Sequence, residues 1–598
     1  MPATSARRWG WDGPVPLVVA TLAVLGIHLL ANRSAGPVIV YDEAGYLGNA
    51  RWLAGQHPTF AMPLSPFYAW GYSAVIAPVH WLSDDPRFRW HAILTVNALL
   101  LASLVPLLHR LARSVFGVGR RVTLAAAVVG ALCPAALGTT GQAAAENLSL
   151  PLVVVVVLAL HAALASQRIA SRLLLGPAVA ALYASHPRFL PVVAVVALGL
   201  LVGLVVAVVP RVVTAANLLG LAVGVVLVRW VDALLVADRW RAVAVLEGDA
   251  GDLVDQLSTG RGVELVARAA LGQGWYLAVG TLGVSVVGVW GLVRIASGRP
   301  LVEGADGDGD RDRDTTPTAA ARITAVGTVV MALGVFALSV YFFSRNATRD
   351  DQLLYGRHND SFLPIWVAAG VALLLGERAR VRLTQTLVGA GAAVAVVSGL
   401  VIVALNPVTH GGRYIPRAIP ALSRVVEGSP DGVFVRGSLF ALAGLVVMAV
   451  VALVVRRPLL GVVALTLWFG WVGMARVERV ETKTERAYDD WSAPEELRAL
   501  GVSEAAIDSR TVPIAVLTYQ FALPDVRFLP YLSGRDRRPD VAFVVASSTD
   551  AALVEAGGRL VVRDDPMSGG DPTYDVGLWV LPGPERDRLE AEGRLLPQ

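Results

Sequence analysis

Two adjacent carboxylates, Asp42 and Glu43, follow the first apolar segment of the chain. An acidic pair just outside a membrane-spanning segment is rarely needed for folding. A membrane enzyme that activates a hydroxyl, or that holds a cation at the bilayer surface, does need such groups. The pair therefore favours an enzyme, with Asp42 and Glu43 as its candidate catalytic residues.

Three further polar positions suit the same chemistry. Glu146 begins an apolar run, where it either faces a wet cavity or is a helix-start charge stabilised by the helix dipole. His186 and Arg188 follow another apolar run, where they either bind a phosphate or extend to lipid headgroups. Arg357 and His358 precede a later run, where an ordinary polar loop is one interpretation.

The composition is that of a membrane protein. Of the 598 residues, 55% are hydrophobic and 16% are charged, and the mean hydropathy is +0.59, which a soluble core cannot explain. About thirteen apolar stretches approach the length needed to span a bilayer. They are 15–31, 91–109, 122–138, 147–165, 173–187, 190–209, 212–231, 271–293, 322–343, 362–376, 383–405, 437–455 and 459–475.

Short loops that are rich in arginine indicate the orientation, because such loops stay in the cytoplasm. The arginines are Arg7, Arg8, Arg110, Arg113, Arg120, Arg121, Arg168, Arg172, Arg378, Arg380, Arg382, Arg456 and Arg457. A multi-pass plasma-membrane protein with a cytoplasmic amino terminus is predicted. Segment 32–90, with its acidic pair, and the tail then lie outside the cell. The inner segment 294–321 alternates acid with glycine and is predicted to be a disordered cytoplasmic linker.

The first outer segment has two local patterns. Asp42–Leu53 has the apolar spacing of an amphipathic helix that lies in the membrane interface. The aromatic residues that follow it are typical of interface anchors. These are Phe67, Tyr68, Trp70, Tyr72 and Trp81.

The composition changes after residue 476, so we predict a transmembrane domain over 1–476 and a small extracytoplasmic α/β domain over 477–598. Short strands are predicted at Val512–Tyr519, Val541–Ala546, Leu560–Val562 and Leu578–Leu581, and helices at Ala493–Leu500 and Asp550–Ala556. A glycine-rich phosphate loop is absent from the tail sequence, which argues against nucleotide binding. No nucleic-acid partner is expected.

The rare residue types narrow the chemistry further. Cys133 is the only cysteine, so neither a disulfide framework nor a cysteine metal site is available. Lys483 is the only lysine, so phosphate contacts in the membrane region must come from arginine, whose planar fork suits bidentate binding. Arg413, Tyr414 and Arg417 form a weaker basic cluster that we interpret as mostly structural.

The chain resembles the GT-C superfamily of membrane glycosyltransferases, which includes protein mannosyltransferases, the aminoarabinose transferase of lipid A and actinobacterial arabinosyltransferases. The resemblance rests on the Asp42-Glu43 pair, on Tyr46 shortly after it, on the many-span architecture and on the outer tail. It implies transfer of a sugar from a polyprenyl-phosphate donor to a cell-envelope glycan, lipid or protein at the bilayer surface. A lysine-poor composition rich in alanine and valine makes an actinobacterial envelope plausible.

The resemblance also suggests roles for individual residues. Asp42 would be the base that deprotonates the acceptor, or a ligand to a divalent cation such as Mg, Mn or Ca, with Glu43 as its partner. Glu146 matches a second acidic position, and Tyr46 belongs to the same acceptor side. His186 and Arg188 match an arginine-bearing turn for the donor phosphate. Arg357 matches a later Gly-Arg-Tyr stretch, from which His358 departs, and by this likeness the two would form a second contact for the donor phosphate.

Three other classes of membrane protein are alternatives to a glycosyltransferase. A transporter or flippase of a lipid-linked or envelope substrate is the main alternative, but it would use ionisable residues in mid-membrane, and the apolar stretches carry almost none. A membrane scaffold leaves Asp42 and Glu43 unexplained. A lipid-linked oligosaccharide ligase usually has a large basic late loop, whereas 406–436 is modest. The sequence therefore favours a glycosyltransferase, one that most simply inverts the anomeric carbon.

Overall fold

A computed structural model gives the fold. It describes residues 14–37, 40–56, 68–207, 209–238, 257–301, 316–345, 350–376, 380–405, 418–426, 432–451, 453, 458–488, 492–564 and 575–597. Residues 302–315 of the predicted linker 294–321, and the basic cluster of Arg413, Tyr414 and Arg417, lie outside these residues.

The described residues are mostly helical. The first helices are α1 Val15–Leu30, α2 Val40–Leu53, α3 Gly71–Ile76, α4 Pro86–Ala102, α5 Leu104–Leu111, α6 Arg120–Ala131, α7 Pro134–Leu137, α8 Glu146–Ala165, α9 Ile169–Arg172, α10 Leu175–Ser185, α11 Leu190–Val206 and α12 Arg211–Asp238. They are followed by α13 Gly260–Val279, α14 Val284–Ala296, α15 Ala319–Arg345, α16 Asp350–Leu353, α17 Leu363–Gly376, α18 Arg380–Leu405, α19 Ser423–Val426, α20 Val433–Val450 and α21 Pro458–Tyr488.

Ten helical segments in the described residues are long and apolar enough to cross a membrane, or up to eleven if one bent pair counts as a single span. This confirms a polytopic helical membrane protein. The other three predicted spans correspond to α1 and α10, which are apolar but shorter, and to the bent pair of α13 and α14.

The predicted span at 271–293 is bent rather than straight. Helices α13 and α14 meet there at 98°. Leu282 and Gly283 both have positive φ, 51° and 75°, and this left-handed backbone ends one helix before the next begins. The run is apolar on both sides of the break, so its hydropathy gives no sign of the change in direction.

Helix α2 forms as predicted, but it does not lie free in the membrane interface. Most of its residues from Glu43 to Arg51 are buried. Ala44 belongs to the apolar core of the carboxyl-terminal domain, and Arg51 Nη2 donates a hydrogen bond of 2.8 Å to the Pro524 carbonyl. The helix is therefore held between the membrane bundle and the carboxyl-terminal domain.

That domain is a small α/β unit. Its strands are β1 Glu504–Asp508, β2 Arg527–Tyr531, β3 Phe543–Ser547, β4 Arg559–Asp564 and β5 Val576–Val580, and its helices are α22 Ala493–Ala499, α23 Pro513–Ala522, α24 Ala551–Glu555 and α25 Pro584–Ala591. The sheet order is β2-β1-β3-β5-β4. The β1 strand pairs in parallel with β2 and β3, and β5 is antiparallel to β3 and β4. The predicted fold class is confirmed.

One predicted strand of this domain was wrong. Val512–Tyr519 forms most of α23, which begins with Pro513 in its first turn, where a proline fits a helix. The run is apolar and buried, and such a short run has no period that separates a strand from a helix. The strands β1 and β2 were not predicted.

Helix α21 connects the bundle to this domain. It runs from Pro458 to Tyr488 without a break, so the division at residue 476 falls within a continuous helix and stays a prediction. The Tyr488 hydroxyl donates a hydrogen bond of 2.8 Å to the carbonyl of Pro37, just before α2. The domain is thereby fixed beside the chain segment that carries the acidic pair.

We expect Gly288→Ala to destabilise the bundle by about 1–3 kcal/mol, the usual cost of overpacking. A Cβ at Gly288 would lie 1.8 Å from the carbonyl oxygen of Trp366, so α14 and α17 would have to separate. The measurement is thermal unfolding of the purified protein in detergent. Gly399→Ala is the control, because a Cβ there meets nothing within 4 Å. An equal response of the two variants would contradict the prediction.

Candidate active site

Four charged residues from four separate segments meet at one end of the bundle. Asp42 lies in the first turn of α2 and Glu146 in the first turn of α8. Arg188 lies in the 3-10 turn Pro187–Phe189 before α11, and Arg357 lies between α16 and α17. The structure thus brings together four of the residues that the sequence singled out, and we call them the charge cluster.

Arg357 is the centre of the charge cluster. Its Nε and Nη2 atoms donate hydrogen bonds of 2.9 Å to Glu146 Oε1 and Oε2, and its Nη1 pairs with Asp42 Oδ2. Arg188 Nη1 donates a third hydrogen bond, also of 2.9 Å, to Glu146 Oε1. Glu146 and Arg188 are each 3% exposed, so this carboxylate is neutralised by arginine rather than by water.

A glycine places Arg357. A Cβ at Gly356 would lie 1.7 Å from the ring of Tyr276, so only glycine allows the chain to pass this ring. The Gly356 N–H also donates a hydrogen bond of 2.9 Å to the Ala418 carbonyl. The Tyr276 hydroxyl in turn donates to Asp360 Oδ2 at 3.2 Å. The segment before α17 is therefore fixed on both sides of the arginine.

A second glycine lets Tyr68 reach Asp42. The Tyr68 ring lies against Gly45, where a Cβ would be 2.2 Å from it. Its hydroxyl donates a hydrogen bond of 2.6 Å to Asp42 Oδ1. The sequence missed this role, because Tyr68 belongs to an aromatic run typical of interface anchors. Nothing in the local sequence distinguishes Tyr68 from the other aromatic residues of that run. Tyr72, from the same run, is fully buried and donates to Asn97.

The two adjacent carboxylates point to different partners. Successive residues of a helix are about 100° apart, so Asp42 faces Arg357 while Glu43 faces the chain before α8. Glu43 Oε1 accepts a hydrogen bond of 2.8 Å from the Ala143 N–H, and the residue is 1% exposed. The side chain of Asp42 remains 15% exposed. The structure therefore leaves Asp42 accessible and buries Glu43.

This divergence bears on the predicted cation. In the part of the chain that the structure describes, no group of three or more His, Cys, Asp or Glu side chains could hold a metal ion. Glu43 contacts a backbone N–H and lies about 100° around α2 from Asp42. A divalent cation held by Asp42, alone or with Glu43, therefore stays a prediction.

Tyr46 lies one turn after Asp42 and is 1% exposed. Its ring packs edge-to-face on Tyr68 and Tyr72, with centroid distances of 5.1 and 5.5 Å. Burial raises its pKa well above the usual value, and the charge of Glu146 raises it further. The phenol therefore stays protonated, and its contacts support the ring of Tyr68. Its role toward the acceptor stays a prediction.

His186 and His358 lie beside the two arginines, with ring centroids 5.8 Å apart. Burial, and then the charge of Arg188, lower the pKa of His186 to about 3. The same causes hold the pKa of His358 well below its usual value. Both rings are thus neutral at physiological pH and offer hydrogen bonds but no charge. The positive charge of the site comes from arginine, as the scarcity of lysine indicates.

We expect Arg357→Gln to lower the free energy of unfolding by about 3–5 kcal/mol, because it leaves Glu146 buried with one cationic partner instead of two. The double variant Glu146→Gln/Arg357→Gln should lose less than the sum of the two single losses. The measurement is denaturant unfolding in detergent.

Arg268→Gln is the control for this cycle. It breaks a partly exposed pair with Glu264 and should change stability by at most about 1 kcal/mol. Losses of equal size at Arg268 and Arg357 would show that the buried pair carries no special weight.

No protein-family model matches the chain, and no curated protein matches it by sequence. Among solved structures, apo ArnT from Cupriavidus metallidurans is 14% identical, with a TM-score of 0.54, 95% of this chain and 99% of that chain covered. The same ArnT bound to undecaprenyl phosphate has a TM-score of 0.49 at the same identity and coverage. The arabinosyltransferase EmbB from Mycobacterium smegmatis is 15% identical with a TM-score of 0.43, over 83% of this chain and 44% of that chain. The likeness to apo ArnT, an aminoarabinose transferase, confirms that this chain has the predicted GT-C fold.

Proposed function

We propose that the protein transfers a sugar from a polyprenyl-phosphate donor to a hydroxyl group of an envelope glycan, lipid or protein on the outer face of the plasma membrane. The observation that carries the proposal is the charge cluster. It joins one accessible carboxylate to two buried arginines at the end of the bundle beside the sheet domain. A base and a phosphate-binding cation are the two groups that this reaction needs.

Asp42 acts as the base in this proposal. Its carboxylate takes the proton of the acceptor hydroxyl while the hydroxyl oxygen bonds to the anomeric carbon of the sugar. The bond between that carbon and the phosphate oxygen breaks, and the polyprenyl phosphate leaves with the electron pair. A single displacement of this kind inverts the anomeric carbon. The Tyr68 hydrogen bond holds Oδ1, so Oδ2 is the oxygen that takes the proton once Arg357 releases it.

Charge balance suggests how the donor enters. Two arginines and the carboxylates of Asp42 and Glu146 sum to zero, so a donor phosphate adds uncompensated negative charge. Arg357 can pair its Nη1 with the phosphate if the carboxylate of Asp42 turns away, while its Nε and Nη2 stay on Glu146. The uncompensated negative charge then lies on Asp42, where the acceptor proton can neutralise it. The same movement releases Asp42 Oδ2 as a base. Donor binding would thereby activate the carboxylate.

Arg188 offers a second contact for the phosphate. Its Nε atom is buried and has no hydrogen-bond partner in the described part of the chain, although its two Nη atoms bond Glu146 and Ser149. A buried N–H without an acceptor costs free energy that a phosphate oxygen would recover. Arg188 is therefore placed to bind the donor without leaving Glu146.

The lipid class of the donor fits the position of the site. The charge cluster lies where apolar helices begin, so a polyprenyl tail can stay in the bilayer while its phosphate reaches the arginines. ArnT, whose fold this chain shares, has been solved with undecaprenyl phosphate bound, a lipid of the proposed class. Transfer from a donor of this kind requires no nucleotide sugar at the outer face of the membrane.

We expect Asp42→Asn to lower sugar transfer by about 10²–10⁴-fold, because the amide cannot accept the proton. The measurement is transfer of radiolabelled sugar from a panel of synthetic polyprenyl-phosphate donors by purified protein. Glu555→Gln, an exposed acid of the sheet domain, is the control and should retain full activity. Equal activity of Asp42→Asn and wild type would remove Asp42 from catalysis. Lipid binding or transport without turnover on any donor would favour a flippase.

Arg188→Ala should raise the KM for the donor about tenfold or more, since a charge-assisted hydrogen bond is lost. The KM for the acceptor should stay close to that of the wild type. Arg188→Lys keeps the charge but cannot supply Nε together with two Nη donors. Its KM for the donor should therefore lie between the values for wild type and Arg188→Ala. Steady-state kinetics with each substrate varied in turn provide the measurement. Equal effects on both substrates would contradict a contact with the donor.

A further inference from the structure

A cavity lies at the opposite end of the bundle from the charge cluster. Helix α17 leads away from Arg357 over fourteen residues, about 20 Å of helix, and α18 begins at its far end. The cavity lies between α14 and the first turns of α18 and has a volume of about 500 Å³.

The polar half of this cavity is strongly basic. Arg294 and Arg299 reach it from the end of α14 and the residues after it, and Arg382 reaches it from the first turn of α18. Among its described lining residues, the other long polar side chain is Gln385, and none is acidic. Three guanidinium groups that converge on one cavity attract an anion, and guanidinium geometry matches a phosphate.

The other half of the cavity is apolar. It is formed by valine, glycine and alanine side chains and by Trp290, which is 50% exposed. Gly389, Ala390 and Ala393 are small, so they leave a trough along α18. The small residues belong to α18, which is long enough to span the bilayer, where the neighbouring molecules are lipid chains. An occupant of the whole cavity must therefore combine an anionic head with an apolar tail.

We propose that this cavity binds an anionic membrane phospholipid. Its headgroup phosphate lies among Arg294, Arg299 and Arg382, and an acyl chain follows the trough of small residues beside Trp290. Basic pockets between transmembrane helices are suited to anionic headgroups. The lipid would contact both α14, which begins after the bend at Gly283, and the first turns of α18. This site is independent of the proposed glycosyl transfer.

The test is native mass spectrometry of the purified full chain with phosphatidylglycerol or phosphatidylcholine. Wild type should bind phosphatidylglycerol at least about tenfold more tightly than phosphatidylcholine. Arg299→Gln/Arg382→Gln removes two exposed charges from the cavity without changing its buried wall, so the protein should still fold. This variant should lose most of that preference. Arg110→Gln/Arg113→Gln is the matched control, since both arginines are exposed and neither lines the cavity.

Equal binding of phosphatidylglycerol by wild type and the cavity variant would overturn the proposal. One other occupant is available in the chain itself, because the acidic residues of segment 303–314 follow closely after Arg299. Replacing those acids by amides distinguishes the two. If this amide variant loses as much thermal stability as the cavity variant, and phosphatidylglycerol does not change the loss, the cavity belongs to the segment. That result would likewise overturn the lipid site.

Discussion

The contact between Arg357 and Glu146 is the interaction on which the rest of the structure depends. The two residues are 211 positions apart in the sequence, and both are removed from water. A buried carboxylate costs several kcal/mol unless cations and hydrogen bonds compensate it, so Arg357 and Arg188 must both reach Glu146. Satisfying one carboxylate thereby fixes the starts of α8, α11 and α17 at the same end of the bundle.

This fixed end also determines where the sheet domain sits. Asp42 joins the cluster through Arg357, which sets the rotation of α2 about its axis. The opposite side of the helix then turns Ala44 into the core of the sheet domain and directs Arg51 to the carbonyl of Pro524. The sheet domain therefore covers α2 and excludes water from its buried side. It shields the site without contributing a residue to the charge cluster.

How far the sequence predicts the fold and the candidate site depends on the kind of pattern that it contains. Ionisable residues at the edges of apolar runs are costly, so Glu146 and Arg188 could be singled out from their positions, whereas Arg357 was singled out only by its resemblance to a family motif. The separate directions of Asp42 and Glu43 could not be predicted, because they depend on the rotation of α2, which distant residues set. The bend at Gly283 and the helix at 513–522 were also missed, since in both cases hydropathy is uniform and only tertiary packing selects the conformation.

The same cluster relates stability to function. A site that must bind phosphate cannot keep its arginines fully committed to carboxylates, and a bundle that buries arginines cannot leave them unpaired. The structure divides the two tasks between atoms. The Nε and Nη2 of Arg357 stay with Glu146, which is buried, while Nη1 contacts Asp42, which is partly exposed and can exchange this partner for a donor. The strong pair holds the fold, and the accessible pair is the one that the proposed chemistry disrupts.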